Sequence, residues 1–451
     1  MRPISVAVRL VLTLALASPF AVAAADGDLD PAFSTDGSDV QDWGVDYAHA
    51  LAVATTRDGA ILVGGQVRFA NLDFGVVRYR PDGTPDAAFG DDGLARIGFD
   101  IGGTASDSLH AILPLPDGKT LLVGSVATAT VGLPGVARLT AAGEPDPDFG
   151  IGGKIVLDLL PDTSTSVSIS RAARQADGSV VLLGTAIPAS GSLQAHIFLL
   201  RIDENGVPDP TFSGDGWTLL DIPNATLESG DSLAIDDAGR IHVGANAVLA
   251  SAYRPFYFRV GTTGLVEVLT VVDLGETWVV ADLALDPVGG RVLLSLRDND
   301  AGFDAGIVVR LDSAGNLDGG FGTSGIADLT LEEGSWMSAI AVQSDRKIVL
   351  AGHLDHTGTQ QGGFFLARLL PDGARDNNFD GNGVVRYEFD RDLDARDGAS
   401  ALALAGGRLV AAGYAGIGAG NDRAFAVLRT QSALVFTDGF ERGTAAAWLG
   451  N

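Results

Sequence analysis

Residues 78–93 read Arg78-Tyr79-Arg80-Pro81-Asp82-Gly83-Thr84-Pro85-Asp86-Ala87-Ala88-Phe89-Gly90-Asp91-Asp92-Gly93, an arginine followed eight residues later by an Asp-x-x-Phe-x-x-x-Gly frame. The frame returns as Asp146/Phe149/Gly153, Asp209/Phe212/Gly216, Asp318/Phe321/Gly325 and Asp376/Phe379/Gly383, each eight residues beyond Arg138, Arg201, Arg310 or Arg368. Arg259 keeps only the acid, as Glu267, and Arg429 has Thr437 where its acid should stand. These seven arginines are separated by 60, 63, 58, 51, 58 and 61 residues, so the chain is an array of seven copies of one unit. A charge pair kept while its neighbours drift points to a structural link between a strand end and the following turn. Such a link, once buried, is costly to break from one side.

Outward from the frame, each unit is all strand and turn. Ile61-Leu62-Val63-Gly64, Leu121-Leu122-Val123-Gly124, Val181-Leu182-Leu183-Gly184 and Ile241-His242-Val243-Gly244 recur every 60 residues, with Val349-Leu350-Ala351-Gly352 and Val410-Ala411-Ala412-Gly413 later. In the first unit, strands over 48–54, 61–67, 74–79 and 94–99 are separated by the turns Arg57-Asp58-Gly59 and Pro81-Asp82-Gly83. No window of helical periodicity with caps interrupts them. Four strands in each of seven units predict an all-β fold, a single seven-bladed β-propeller. The frame missing after Arg429 stands at the other end of the chain, as Asp30/Phe33/Gly37. An N-terminal strand within residues 28–43 is therefore expected to complete the last blade, alongside residues 400–430, and to remove the open edges.

The repeats look like those of the delta-60 repeat family of mostly exported bacterial proteins. The resemblance rests on 57–65, on Val77-Arg78-Tyr79-Arg80-Pro81-Asp82-Gly83 and on Asp86-Ala87-Ala88-Phe89-Gly90, and it covers about residues 28–430. It implies a propeller-like array and carries over no catalytic residue. The unit over 245–295 is the shortest and departs most from the pattern, which places its blade in question.

Arg2 and Arg9, an apolar run over 10–17 and the small residues 21–25 read as a secretory signal, 1–25. The expected division is a signal peptide, a propeller over 26–433 and a C-terminal tail over 434–451, whose Phe436-Thr437-Asp438-Gly439-Phe440 resembles a short terminal motif of some exported bacterial proteins. Export to the periplasm, cell surface or medium follows, with no membrane span in the mature chain. Of 451 residues, 57 are Asp or Glu and 30 Lys or Arg, a net charge of −27 that argues against nucleic acid or an anionic membrane as partner. There is no Cys, which excludes disulfides, thiolate metal sites and cysteine nucleophiles.

Asp46-x-x-His49 and Asp107-x-x-His110 recur in consecutive units, and Asp397 takes a similar place in the last. With ring closure these three carboxylates and two imidazoles are expected to gather near one channel mouth. There they are candidate ligands for Ca²⁺, which favours carboxylate oxygens, or for a transition metal, which favours imidazole. The alternative is that the Asp residues cap turns and the His residues pack between blades. Gly230-Asp231-Ser232-Leu233 spells an esterase signature but lies inside a β repeat, without the strand-turn-helix setting that gives the motif its meaning. His353-Leu354-Asp355-His356 has chelating side chains, but its neighbours Thr357-Gly358-Thr359-Gln360 read as an exposed loop; Asp380-Gly381-Asn382-Gly383 is an acidic turn without EF-hand spacing, and no phosphate-binding loop is present.

The expected function is a non-enzymatic exported scaffold that binds a polysaccharide or an envelope protein through loops such as 67–73, 188–194 and 355–362. The alternative is a hydrolase or lyase acting on an extracellular polymer through carboxylates at the channel mouth. In that alternative, Asp46→Asn and Asp107→Asn abolish turnover in a polymer-cleavage assay while leaving the melting curve unchanged. Unchanged turnover removes both residues from the mechanism.

Overall fold

The computed structural model describes residues 26–102, 106–158, 166–187, 195–275, 277–299, 305–331, 335–354, 362–389, 396–417 and 422–431. The expected signal, 1–25, and the expected tail, 434–451, lie outside them. Every regular element among the described residues is a strand, and no helix there is long and apolar enough to cross a membrane. The strands make seven antiparallel sheets of four, spanning 48–97, 108–156, 166–220, 226–271, 278–328 and 335–387 for blades 1 to 6. Blade 7 has three strands of its own, Gly398–Ala405, Arg408–Gly416 and Arg423–Arg429. Its fourth is Ser38–Gln41, antiparallel to Arg423–Arg429 with Ser38 opposite Leu428 and Gln41 opposite Phe425. The first strand of each blade touches the first strands of both neighbours, Ala48–Thr55 meeting Gly398–Ala405, so the ring closes around a central channel.

The repeated arginine forms the same staple in every blade. Its Nε or Nη2 meets the carboxylate of the frame at 3.3 Å in Arg78–Asp86, 2.6 Å in Arg138–Asp146, 2.8 Å in Arg201–Asp209 and 2.9 Å in Arg259–Glu267. Arg310–Asp318 at 2.9 Å and Arg368–Asp376 at 2.8 Å continue the series, and Arg429–Asp30 at 2.9 Å completes it across the termini. The guanidinium stacks over the frame phenylalanine, with Cζ 4.6 Å from the Phe149 centroid and 4.8 Å from that of Phe33. Its other arm crosses to the next blade: Arg138 donates to Glu204 O at 3.1 Å, Arg201 to Thr262 O and Arg259 to Ser313 O at 2.6 Å, and Arg310 to Pro371 O at 2.6 Å. Arg429 donates to Pro81 O of blade 1, so one side chain ties the last blade to both the N-terminal strand and the first blade. Arginine suits the place because its planar fork serves a carboxylate, a ring face and a carbonyl together. Blade 4, which lacks the phenylalanine, keeps the ion pair and the crossing bond and has its full four strands.

Apolar layers fill the spaces between blades. Leu62, Phe74 and Val76 of blade 1 meet Leu109, Ile112 and Leu122 of blade 2, and Val410, Phe425 and Val427 of blade 7 meet Ala48, Ile61 and Val63 of blade 1. Each fully buried valine, leucine, isoleucine or phenylalanine among them contributes roughly 1.5–3 kcal/mol, at the closing interface as at the internal one.

A second constraint acts at the axis. Every first strand carries a β-bulge, at Leu51, His110, Ser170, Asp231, Ala281, Ser338 and Ser400, where its register against the second strand slips by one. The bulge drives a first-strand carbonyl into the second strand. A Cβ on Gly65 would sit 2.0 Å from His49 O, and one on Gly352 2.0 Å from Trp336 O. This explains the glycine that ends four of the six apolar tetrads, Gly124, Gly184, Gly352 and Gly413, and it shows that Gly65, not Gly64, is their counterpart in blade 1. In blades 4 and 5, whose sequences drift most, Ala245 and Leu296 stand there instead.

Arg429 and Asp30 are both buried, at 5% and 4% exposure, so removing one leaves the other uncompensated. Asp30→Ala is expected to lower unfolding stability by about 3–5 kcal/mol in urea titration, whereas changing Asp36, on the exposed turn of the same segment, leaves it nearly unaltered. Equal effects would show that the closing staple carries no special weight.

Candidate functional site

A bulge turns one side chain per blade toward the axis, and these seven residues line a polar cavity of about 410 Å³ together with Ser168, Arg171, Arg297 and Trp336. Propellers repeat their strands but not this ring: Leu, His, Ser, Asp, Ala, Ser and Ser occupy equivalent places. Bulges commonly re-aim side chains at working sites. Asp231 accepts from Ser229 Oγ at 2.7 Å and Asn246 Nδ2 at 2.8 Å, and burial raises its pKa against the pull of these bonds and of Arg171 and Arg297. Asp282, deeper in the channel, accepts from Ile340 N of the next blade at 3.0 Å, and burial raises its pKa too, with Arg171 opposing. Burial takes the Arg297 guanidinium down to about 10, which leaves it cationic at neutral pH.

Above the cavity, the starts of the first strands and the ends of the second strands form an arc around the mouth opposite the arginine staples. Arg297 Cζ lies 3.6 Å from the Trp336 ring centroid, and Trp336 stacks on His353 at 5.7 Å. Gly398 is bare where His353 and Tyr414 converge, a Cβ there falling 3.0 Å from each. Tyr414 meets His49 edge to face at 4.7 Å and carries Arg423 at 4.0 Å. Tyr47 lies beside His49 with Arg68 over its ring at 4.7 Å. Three arginines stacked on three aromatic rings thus follow one another from blade 5 round to blade 1.

The residues singled out from the sequence fall in separate places. His49 bonds Ser400 Oγ at 2.9 Å, and burial, with Arg423 and His353 near, takes its pKa down to about 3. His110 lines the cavity and bonds Ser108 Oγ at 2.8 Å, its pKa taken down to about 4 by burial and by Arg171. Both imidazoles are neutral at ordinary pH. Asp107 is buried and accepts from Phe99 N at 2.8 Å, and Asp397 accepts from Phe389 N at 3.0 Å and Gly416 N at 3.1 Å. These two fasten the chain between blades. Strand pairing makes them counterparts of each other and of Ala48, because His49, Ser108 and Gly398 hold the same register. Asp46 stands two residues earlier, exposed, 3.8 Å from Arg68. Among the described residues the three acids and two imidazoles do not form a single cluster of potential ligands.

Ser232 of the esterase-like tetrapeptide is fully buried against Gly244 in blade 4, away from the Asp-x-x-His segments of blades 1 and 2. His356 lies outside the described residues, as do loops 188–194 and 355–361. Arg171, Arg297, Trp336, Tyr414 and Asp282 were not legible as site residues. Once the repeats are aligned on Gly65 rather than Gly64, Trp336 stands two residues before its bulge, Arg297 and Tyr414 stand opposite that place in their own blades, and Arg171 and Asp282 each follow a bulge by one residue.

Burial raises the Asp107 pKa to about 6, with the Phe99 and Ala127 amides opposing and Asp73 and Asp100 adding to it. A raised carboxyl favours folding while protonated, and that contribution is lost as pH climbs from the unfolded value near 4 through about 6. Asp107→Asn is therefore expected to become more stable relative to the parent between pH 4.5 and pH 7.5 in urea unfolding. A difference independent of pH would contradict the shift.

Four segments, residues 56–89, 115–149, 175–212 and 343–379, match the model of a family described as "Domain of unknown function (DUF5122) beta-propeller". Each ends on the phenylalanine of an arginine staple, in blades 1, 2, 3 and 6. Comparison with the curated proteins finds no match. Among solved structures, a PL25 ulvan lyase is similar over 90% of this chain and 95% of its own, with TM-score 0.51 and 11% identity. The same enzyme bound to -[GlcA(1-4)Rha3S]- gives TM-score 0.50 and 11% identity over the same shares. The polysaccharide lyase Uly1 covers 90% and 96% at TM-score 0.48 and 12% identity. Seven closed four-stranded blades and the four matched segments make this chain a β-propeller protein.

Proposed function

We propose that the protein binds an acidic polysaccharide at the axial mouth. The observation that carries this reading is the arc of Arg297 on Trp336, Arg423 on Tyr414 and Arg68 on Tyr47. Aromatic faces accept the C–H face of a sugar ring, and a stacked guanidinium turns its N–H edge outward, toward Asp46 in the case of Arg68, where it can fork onto a carboxylate or sulfate. The serine hydroxyls and neutral imidazoles beneath supply hydrogen bonds that do not depend on pH near neutrality. Of the expected loop 67–73 only the hairpin turn 69–71 lies outside the strands, and it stands at the same mouth. The ulvan lyase that shares the fold holds an acidic saccharide of this class, and that likeness supports the choice of probe.

A second reading, cleavage of the bound polymer, is favoured by His110, a neutral imidazole in the cavity beside the Arg171 charge. An uncharged base next to a cation is what proton abstraction beside a sugar carboxylate needs. Release of unsaturated chain ends, read by ultraviolet absorbance and lost in His110→Ala, would establish it.

The test of binding is affinity electrophoresis against ulvan, alginate and polygalacturonate, with dextran as the neutral control. Retardation by at least one acidic polymer and none by dextran is expected. Trp336→Ala and Arg297→Ala are each expected to weaken it about thirtyfold, the ~2 kcal/mol of a central aromatic or arginine anchor, with unchanged melting curves. Binding unaffected by both substitutions, or no retardation by any acidic polymer, contradicts the proposal.

A further inference from the structure

The junctions between blades 1 and 2, 3 and 4, and 6 and 7 can be superposed by their strand pairing, and one of them lacks a charge that the others have. Each places an acid at the start of the next first strand: Asp107, Glu228 and Asp397. In the first and last, an arginine stands on the outer strand of the preceding blade, Arg96 opposite Gly75 and Arg386 opposite Phe365. At the middle junction the corresponding residue, opposite Phe198, is Leu219. Where blade 1 has Asp73, paired with Arg96, blade 3 has His196.

The three acids are satisfied to different degrees, and Asp107, like Glu228, keeps one buried oxygen without a hydrogen bond. Asp397 gives both oxygens to backbone N–H groups. Glu228, 3% exposed, gives Oε1 to Ile222 N at 3.1 Å, while its buried Oε2 makes no hydrogen bond and lies 3.9 Å from His196 Nδ1. The carboxylate of Asp221 completes a group whose ligand atoms all fall within 4.8 Å of one another, the one such cluster of three among the described residues. A buried oxygen without a hydrogen bond is costly, and this one faces the His196 imidazole and the Asp221 carboxylate.

We propose that this junction binds a divalent transition ion of the zinc class through His196 Nδ1, Asp221 and Glu228 Oε2, in the place where blade 1 has the Arg96–Asp73 pair. One nitrogen and two carboxylate oxygens are a zinc-type donor set, whereas Ca²⁺ takes oxygen alone. Ligands about 2.0–2.2 Å from such an ion stand a little closer together than they do here, so a small rotation of the exposed Asp221 closes the set. Its exposure leaves the remaining positions to water. The ion then clips the third and outer strands of blade 3 to the first strand of blade 4.

The test uses the full chain without a histidine tag, freed of metal by chelator and titrated with Zn²⁺ or Ca²⁺ in a calorimeter, with melting curves before and after. One equivalent of Zn²⁺ and a raised melting midpoint are expected, both lost in His196→Ala and in Glu228→Gln, with no Ca²⁺ heat. Leu219→Arg supplies the missing guanidinium. It is expected to fold without metal, to melt no lower than the metal-free parent and to lose the zinc response. No Zn²⁺ heat in the parent, zinc binding that survives both single substitutions, or equal binding of Ca²⁺ overturns the proposal.

Discussion

The guanidinium at the end of each third strand has to satisfy its charge, its ring face and its spare N–H groups in a nearly dry place, and the ring is organised by how it does so. One arm takes the carboxylate of its own blade, the plane lies on a phenylalanine, and the other arm reaches a turn carbonyl of the next blade in most copies. Broken from either side, such a group leaves a buried charge unpaired, so the staple resists piecemeal drift. That accounts for its survival in blade 4, where Glu267 replaces aspartate and the phenylalanine is gone. At Arg429 the same requirement can be met only by Asp30, nearly the whole chain away, and the result is closure of the ring.

Closure in turn makes the axis. Seven first strands crowd around it, each relieves the crowding with a bulge, and each bulge presses a carbonyl onto a residue that is glycine in five blades. The framework is therefore uniform, and chemistry enters at the bulge and its neighbours, whose side chains face the channel and differ from blade to blade. The staples occupy one face and the arginine–aromatic arc the other. Variation at the mouth leaves the ring intact.

The fold was legible because its determinants are local and repeated: an Arg-to-Asp spacing of eight, Asp-Gly turns, and a frame displaced from the end of the chain to its start. The N-terminal strand expected within residues 28–43 lies at Ser38–Gln41, beside the strand that ends at Arg429. The site was less legible, because its residues are defined by register rather than by motif. Asp46 and Asp107 share a tetrapeptide pattern yet stand two places apart in the sheet, since the loops entering the two strands differ in length. His49 and His110 share the pattern and not the place: one lies at the rim under Tyr414, the other at the bulge. Trp336 and Arg297 belong to no motif and become neighbours only through the packing of adjacent blades.

The ring of seven blades closed by its own N-terminus is the claim on which the rest stands, and the chain's lack of cysteine offers a clean test of it. Val40 lies directly opposite Ala426 in the closing pair, and Val427 is one residue out of register with it. Val40→Cys with Ala426→Cys, oxidised at low concentration and read by intact mass after alkylation, is predicted to form one intramolecular disulfide, while Val40→Cys with Val427→Cys remains two free thiols. Free thiols in the first pair, or bridging only between molecules, would contradict the closure.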